Sequence, residues 1–256
     1  MEENKQPVIR VRDLDLSYDD YPVMAGLNFS VNKGDIFVVM GGSGCGKSTL
    51  LKVLIGLKEP DKGEVLYDGV DFWAQDETAR QDMMRRFGVL YQGGALWSSL
   101  TIGENVALPL QLYSKLSAAQ IKEMVELKLA LVGLSGYADF YPAQISGGMR
   151  KRAGLARAIA LDPDIIFFDE PSSGLDPLSG KLLDDLILQL RDTLGATIVI
   201  VTHELASIFA VGTSAVLLDA ESKSMIAAGT PADLLANSRD SRVIQFLTRG
   251  KKQGVQ

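Results

Sequence analysis

The stretch Gly41-Gly42-Ser43-Gly44-Cys45-Gly46-Lys47-Ser48-Thr49 decides the fold, because it fits the phosphate-binding pattern G-x-x-x-x-G-K-[ST]. An apolar run over 35–40 predicts a buried strand before it, and the mostly apolar run 50–57 predicts a helix after it. The glycines let backbone N–H groups turn toward an anion, and the helix N-terminus adds a positive dipole end. Lys47 would then reach the β- and γ-phosphates of a nucleotide, and the Ser48 hydroxyl would hold Mg²⁺. All nine residues are candidate nucleotide contacts.

Composition limits the classes of protein that this chain can belong to. Its 256 residues suffice for one large or two small domains with a sizeable core. A formal net charge of −6 does not favour a nucleic-acid partner. Cys45 is the single cysteine, so it is interpreted as a spacer in the loop rather than as a redox group. No apolar run approaches the roughly 18 residues that span a bilayer, so we expect a soluble chain whose membrane role comes through a partner.

Alternating apolar and polar residues predict strands in the first third of the chain. The runs 8–18 and 27–31 are interpreted as antiparallel strands that lead into the phosphate-loop strand. Tyr18 ends the first of them and fits either ordinary strand packing or stacking on a base. A further strand over 64–67 precedes the hairpin dipeptide Asp68-Gly69, and a helix over 76–86 leads to a short strand over 87–91.

Helical signals replace strand signals between residues 93 and 157. Ser117 and Gln120 form a capping-box pattern that opens one helix. The stretch 142–148 breaks the pattern, and a new helix begins near Met149. We interpret the basic residues of that helix as a solvated face. They are Arg150, Lys151, Arg152 and Arg157.

The last third returns to buried strands and core helices. A strand over 164–169 carries Asp169 and Glu170 at its C-terminal end, and a strand over 197–201 is followed by His203. Between them, a leucine-rich stripe over 182–194 predicts a core helix. Closing strands are expected over 215–218 and 225–228, then a short helix that starts at Thr230-Pro231 and a C-terminal tail over 241–256.

Three strands thus end in the phosphate loop, in Asp169-Glu170 and in His203, which suggests one site at one sheet edge. Asp169 would hold Mg²⁺, and Glu170 would orient or deprotonate an attacking water. A strand-end salt-bridge pair is the alternative for the two carboxylates, and the upstream phosphate loop disfavours it. His203 stays open between a structural and a catalytic role.

Ile145-Ser146-Gly147-Gly148-Met149, followed by the Asp169-Glu170 strand, resembles the signature of ABC-type ATPases. The resemblance covers nearly the whole chain. It implies an α/β P-loop NTPase fold: a mixed sheet with helices on both faces, an antiparallel β part, and an inserted helical subdomain. It also implies Tyr18 as the adenine-stacking residue, Gln92 as the Q-loop glutamine, 173–176 as the D-loop and His203 as the switch histidine.

The family further implies a head-to-tail dimer that binds two ATP molecules. Ser146, Gly147 and Gly148 of one subunit would close on the γ-phosphate held by the other. The resemblance assigns catalysis to Glu170, His203, Gln92 and Lys47, and Mg²⁺ binding to Ser48, Gln92 and Asp169. Met149 replaces the glutamine of the common signature and lacks its amide, so only the polar contacts of the fifth position are in doubt.

Several stretches also resemble the ATPase subunits of Mla-type lipid transporters. They are 146–152, 91–96, 104–109 and 242–247. In that family a two-copy ATPase binds an MlaE-like integral membrane permease, which joins a ring of MCE-domain (MlaD-like) proteins, and a STAS-domain (MlaB-like) protein often binds the ATPase. The implied cargo is phospholipid moving between inner and outer membranes. The implied location is peripheral, on the cytoplasmic face of the bacterial inner membrane.

This interpretation makes residues 1–256 one ABC nucleotide-binding domain. Its α/β core comprises 8–92 and 158–240, and its helical subdomain comprises 93–157. Three alternatives stay open: an ABC transporter ATPase with another cargo, a non-transport ABC protein acting on DNA or ribosomes, and a module that holds nucleotide without turnover. The acidic charge and the lack of a coiled-coil insertion disfavour the second, and Glu170 and His203 disfavour the third.

Overall fold

A computed structural model describes residues 7–19 and 21–250. The strands of this part are β1 Pro7–Tyr18, β2 Tyr21–Asn32, β3 Ile36–Gly41, β4 Lys62–Tyr67, β5 Val70–Asp71, β6 Phe87–Leu90, β7 Ile165–Asp169, β8 Thr197–Thr202, β9 Ser214–Asp219 and β10 Ser224–Gly229. The helices are α1 Lys47–Leu54, α2 Glu77–Met84, α3 Ile102–Tyr113, α4 Ala118–Leu131, α5 Gly147–Ala158, α6 Pro177–Leu194, α7 Leu205–Val211, α8 Pro231–Asn237 and α9 Ser241–Leu247. The chain divides into a first unit, 1–80 with 199–256, and a second unit, 81–198.

An antiparallel sheet in the order β2-β1-β4-β5 forms one part of the first unit. Val11 lies opposite Phe29 on one side and Val65 on the other. The valine, isoleucine and leucine residues of β1 are buried while Arg10 and Arg12 are exposed, as the alternating pattern predicts. The antiparallel arrangement of β1 and β2 is therefore confirmed, although β2 is longer than the predicted run 27–31.

A mixed arrangement of strands forms the other part of the first unit. Strand β3 pairs in parallel with β9, β9 pairs antiparallel with β10, and β8 neighbours β3 on its other side. Every residue of β3 is buried, which explains its continuous apolar sequence. Parallel and antiparallel pairs in one unit, together with the helices, make this an α/β fold.

The C-terminal helices pack against this arrangement. Ile208 of α7, Leu234 of α8 and Val243 and Leu247 of α9 join one buried cluster with Val38 of β3. The predicted tail over 241–256 is therefore wrong for 241–247, because Val243 and Leu247 supply the apolar face of a docked helix. Residues 251–256, also predicted as tail, lie outside the described residues.

Helix α1 begins and ends three residues earlier than the apolar run 50–57 predicts. It begins at Lys47, inside the phosphate loop. It ends because Gly56 adopts a left-handed φ of +80°, which lets the Leu57 N–H donate to the Lys52 carbonyl at 2.8 Å. This is a Schellman cap, and glycine adopts its conformation without a Cβ clash.

The second unit joins a parallel strand pair to a set of helices. Phe87 lies opposite Ile165 and Leu90 opposite Phe168, so β6 and β7 run in the same direction. Ser117 and Gln120 form the predicted capping box at the start of α4. Helix α6 begins at Pro177, before the leucine stripe, because the Asp176 side chain caps it. Within residues 7–19 and 21–250, no helix has both the length and the apolar character to cross a membrane.

Candidate nucleotide-binding site

The phosphate loop joins β3 to α1 within the first unit. Lys47 is only 7% exposed, and its ammonium donates hydrogen bonds to the carbonyls of Gly41 and Gly42, both at 2.9 Å. Gly46 has a φ of +90°, and a Cβ there would lie 2.8 Å from Cγ1 of Val23. The loop therefore requires glycine at this position, and it folds back around the lysine as the sequence pattern predicts.

Cys45 lies inside the loop and is 1% exposed. Burial raises the pKa of its thiol above the ordinary value, and the charge of Lys47 opposes this shift. A buried thiol with a raised pKa is a poor nucleophile. The environment agrees with the interpretation of Cys45 as a spacer.

Tyr18 presents a ring that is 45% exposed at the end of β1. Its hydroxyl accepts a hydrogen bond from Lys52 Nζ at 3.3 Å, and Lys58 Nζ lies 5.2 Å from the ring centroid. Hydrogen bonds, first with Thr49 and then with Lys52, lower the pKa of Tyr18 below its usual range. The ring is therefore an oriented, partly open aromatic surface of the kind on which a base stacks.

His203 follows β8 in the first unit, and its side chain is 45% exposed. Its Nε2 lies 3.8 Å from Oε1 of Glu204, and Oε2 of Glu204 accepts a hydrogen bond from Arg249 at 3.1 Å. An imidazole exposed to this extent does not fill a core position, and the catalytic role of His203 stays a prediction. Ser48, also in this unit, is exposed at the start of α1.

Gln92 and the Asp169-Glu170 pair come to one sheet edge of the second unit, because the parallel strands β6 and β7 end there. Gln92 is exposed, and its Nε2 lies 3.5 Å from Oγ of Ser173. Glu170 is 9% exposed and has a φ of +46°, an uncommon backbone conformation for a residue other than glycine. Strained residues of this kind cluster at functional sites.

The signature residues open helix α5 in the same unit. Ser146 is the N-cap, and its Oγ accepts a hydrogen bond from the Met149 N–H at 3.2 Å. Ser146 and Gly147 are exposed, which leaves the positive end of the helix accessible to an anion. Met149 contributes its backbone to the cap, a contact that does not require a glutamine side chain.

The basic residues of α5 are not a solvated face, and that prediction is wrong. Lys151 is buried, and the three arginines are partly buried. Each side chain donates to main-chain carbonyls: Arg150 to Ile145, Lys151 to Glu170, Pro171 and Ser173, Arg152 to Val132 and Gly133, and Arg157 to Gly94 and Ala95. These acceptors lie 5 to 63 residues away in the chain, so the sequence of the helix does not reveal them.

Two further polar residues of the second unit have structural roles that the sequence pattern does not predict. Asp176, in the predicted D-loop, accepts hydrogen bonds from the N–H groups of Leu178 and Ser179, both at 3.1 Å. Asn105 is fully buried and holds the loop before α3 through the Trp97 N–H at 2.8 Å and three carbonyls. An Asp before a Pro at a helix start is the signal that could have revealed the first.

The predicted Mg²⁺ ligands fit the chemistry of that ion. They are the hydroxyl of Ser48, the amide oxygen of Gln92 and the carboxylate of Asp169, all hard oxygen donors. Mg²⁺ commonly takes one or two protein carboxylates and completes its shell with substrate phosphates and water. The described residues include no cluster of three or more His, Cys, Asp or Glu side chains suited to a metal.

The candidate residues therefore fall into two sets. The phosphate loop, Tyr18 and His203 lie in the first unit, and Gln92, Asp169, Glu170 and residues 146–148 lie in the second. The structure brings Gln92 to the same sheet edge as the two carboxylates. That the two sets act on one nucleotide stays a prediction.

Comparison with known proteins identifies the family. Residues 24–173 match the family model described as ABC transporter. The chain is 41% identical over 249 residues to the intermembrane phospholipid transport system ATP-binding protein MlaF of Haemophilus influenzae, covering 97% of this chain and 93% of that protein. It is 43% identical over 197 residues to the probable ribonucleotide transport ATP-binding protein mkl of Mycobacterium tuberculosis, covering 77% of this chain and 55% of that protein.

A solved structure agrees with the sequence relatives. The fold matches the ATP-binding cassette MJ0796, solved as a dimer in a post-hydrolysis state bound to ADP and Pi. The TM-score is 0.79 at 28% identity, and the match covers 87% of this chain and 98% of that one. With the family model over more than half of the residues and MlaF aligned over nearly all of them, the chain belongs to the ABC transporter family of ATP-binding proteins, in its Mla-type group.

Proposed function

We propose that this chain is the ATP-hydrolysing subunit of a bacterial ABC transporter that moves phospholipid between the inner and outer membranes. The observation that carries the proposal is the similarity to MlaF along 97% of the chain, together with a complete ordered set of nucleotide motifs. In this proposal the chain works as a dimer, peripherally on the cytoplasmic face of the inner membrane.

Each candidate residue has a distinct task in hydrolysis. Lys47 supplies the cation for the β- and γ-phosphates, and Tyr18 stacks on the adenine. Glu170 accepts a hydrogen bond from the attacking water and takes its proton, while His203 donates toward the γ-phosphate. Ser146, Gly147 and Gly148 offer a helix N-terminus to the γ-phosphate held by the other subunit.

The metal has a limited part in this scheme. Ser48, Gln92 and Asp169 would hold it, and Mg²⁺, when bound, would neutralise charge on the β- and γ-phosphates. Gln92 would connect the site to the membrane partner, since it lies between the strand that ends at Leu90 and the helical segment that follows.

A groove in the second unit supports a permease contact. It measures about 690 Å³ and is lined by Met84, Arg85, Tyr91, Pro109 and Tyr113 among others. Tyr113 is 57% exposed, and the Arg85 guanidinium lies 5.5 Å from its ring centroid. Exposed aromatic and arginine side chains are enriched at protein interfaces. We propose that an MlaE-like permease binds here, with an MCE-domain protein and a STAS-domain protein as further members of the complex.

Affinity purification from detergent-solubilised membranes tests the proposal. The full-length chain should co-purify with an MlaE-like permease and an MCE-domain protein. Tyr113→Ala should weaken this recovery, whereas Tyr141→Ala, an exposed tyrosine outside the groove, should not. Recovery of an unrelated permease would replace the cargo assignment and keep the ATPase, and equal recovery with both variants would remove the groove from the proposal.

A second candidate is an ABC ATPase with another cargo. The observation that favours it is the 43% identity to mkl, whose name specifies ribonucleotide transport. ATP hydrolysis by the purified complex, measured with added phospholipid vesicles and with added ribonucleotides other than ATP, separates the two. Stimulation by ribonucleotides alone would favour the second candidate.

A further inference from the structure

Lys151 is a buried cation whose hydrogen bonds all go to one short segment. It lies on α5 and is 6% exposed. Its ammonium donates to the carbonyls of Pro171 at 2.7 Å and Ser173 at 2.5 Å, and it lies 3.5 Å from that of Glu170. A lysine ammonium has three N–H donors, and three carbonyls of residues 170–173 surround this one.

Such an arrangement needs full compensation, because removing an ammonium from water is unfavourable. Burial lowers the pKa of Lys151 below its ordinary value, and the nearby charge of Glu170 opposes this shift. The hydrogen bonds to the three carbonyls keep the charged form in place. The lysine therefore fixes the backbone of 170–173 to the helix that Ser146 caps.

The same segment contains the strained residue of the candidate site. Glu170 has a φ of +46°, and its carbonyl accepts a hydrogen bond from the Ser173 N–H at 3.2 Å. Ser172 accepts from the Leu175 N–H at 3.1 Å, so a tight turn follows β7. A left-handed conformation persists only where its surroundings hold it, and Lys151 is the buried side chain that bonds to this turn from α5.

We propose that Lys151 is a positioning residue for ATP hydrolysis, which holds the Glu170 backbone in its left-handed conformation and thereby aims the carboxylate. This inference rests on the proposed role of Glu170 toward the attacking water. It also assigns a second effect to the same side chain. The same ammonium links α5 to the turn that carries Glu170.

Three substitutions in the full-length chain, assayed in its membrane complex, test the proposal. Lys151→Met keeps the length and removes all donors, Lys151→Gln keeps two, and Lys151→Arg keeps charge and donors. We expect kcat to fall at least tenfold in Lys151→Met and less in Lys151→Gln, with most of it retained in Lys151→Arg. ATP affinity, measured with a fluorescent nucleotide, should change less than twofold in all three.

Lys128→Met is the matched control. Lys128 is also a buried lysine of the second unit, with a side chain 3% exposed, and it pairs with Asp162 rather than with the turn at Glu170. A purely structural role would make the two methionine variants alike. We expect Lys128→Met to lower the melting temperature and to leave kcat within twofold of the wild type.

Glu170→Gln, assayed in parallel, separates failure of this inference from failure of the proposed function. If Glu170→Gln is inactive while Lys151→Met has wild-type kcat, the lysine proposal is overturned and the role of Glu170 stands. If Glu170→Gln hydrolyses ATP normally, the role of Glu170 itself is overturned. Addition of Lys151→Met to Glu170→Gln should cause no further loss, because the two residues act as a unit.

Two other results decide against Lys151 as a positioning residue. One is an equal loss of kcat and ATP affinity, and the other is the same loss of kcat in Lys128→Met. If Lys151→Met does not fold, the order of kcat in Lys151→Arg and Lys151→Gln decides. A lower kcat for Lys151→Arg than for Lys151→Gln would overturn the proposal, because arginine retains more donors.

Discussion

Lys47 and Lys151 are almost equally buried, and both donate hydrogen bonds to main-chain carbonyls. Their acceptors differ in how far away they lie in the sequence. Lys47 is 7% exposed and bonds to carbonyls five and six residues before it. Lys151 is 6% exposed and bonds to carbonyls up to 22 residues after it. The first closes a loop on itself, and the second joins a helix to a separate turn. Their comparison teaches that two buried lysines can both be satisfied by main-chain carbonyls and still have different proposed roles, Lys47 as a ligand for phosphate and Lys151 as a support for the backbone at Glu170.

The largest effect should come from the carboxylate that Lys151 supports. Glu170→Gln should lower kcat by about 10²–10⁴-fold, because an amide cannot accept the proton of the attacking water. ATP binding should be retained, because the substitution leaves Lys47 and the other residues of the phosphate loop unchanged. Single-turnover hydrolysis and nucleotide binding measure the two effects, with the exposed Glu126→Gln as control. Hydrolysis near the wild-type rate would contradict the catalytic role of Glu170 and therefore also the supporting role of Lys151.

The next effect should separate the two lysines by the step that each one affects. Charge-assisted hydrogen bonds contribute about 1.5–3 kcal/mol, so Lys47→Ala should weaken ATP affinity by about ten- to a hundredfold. Lys151→Met should spare that affinity. Equilibrium binding of a fluorescent ATP analogue gives both values, and the exposed Lys122→Ala serves as control. Unchanged affinity in Lys47→Ala would make the two lysines indistinguishable.

The reactivity of the Cys45 thiol shows whether the phosphate loop around Lys47 is closed. Burial raises the pKa of Cys45, so less of the reactive thiolate is present at pH 8 than in the unfolded chain. Alkylation of the folded protein should be at least about tenfold slower than in denaturant, and the rate should rise only at higher pH. Mass spectrometry after timed labelling with iodoacetamide measures this rate at the single cysteine of the chain. Equal rates in the two states would show that the loop opens freely.

The smallest effect concerns the aromatic ring of the first unit. Aromatic stacking contributes about 0.5–1.5 kcal/mol beyond area burial, so Tyr18→Ala should weaken ATP binding by roughly two- to tenfold. The structure adds a consequence for Tyr18→Phe, which loses the hydrogen bond from Lys52 that orients the ring. Because this contact is exposed, the loss should stay below about twofold. Titration with ATP compares the variants. Equal losses of affinity in both would show that the Tyr18 hydroxyl, rather than the ring, contributes to ATP binding.

Features whose contacts lie close together in the sequence were predictable, and features that depend on distant contacts were not. The phosphate loop is nine consecutive residues, and its strand, glycines and lysine interact within that span, so its geometry was predictable. The end of α1 was not, because a preference for apolar residues extends to Leu57 while the backbone turns at Gly56. A glycine at the end of an apolar helix is the signal that should have shortened the predicted helix.

Long-range contacts explain the remaining errors. Four cations on one helix suggested a solvated face, yet Arg157 bonds to carbonyls 62 and 63 residues away. A charge does not specify its acceptor when every residue in the chain offers a carbonyl. Likewise, the predicted tail contains Val243 and Leu247, which are buried only because they pack into the cluster around β3. In both cases the contact partners lie far away in the sequence, so the neighbouring residues do not indicate them.

The hydrogen bonds of α5 also bear on how this sequence tolerates change. Their acceptors are main-chain oxygens, and a main-chain oxygen is present whichever side chain occupies the position. A substitution at Ala95 should therefore leave the hydrogen bond from Arg157 in place as long as the backbone path is kept. These hydrogen bonds constrain the side chains of the donors, so positions 150–152 and 157 should accept few amino acids, whereas an acceptor position is constrained only by other roles, such as that of Glu170. A mutational scan of this protein would then show intolerance at the four donors of α5, and intolerance at an acceptor position only where its side chain has a role of its own.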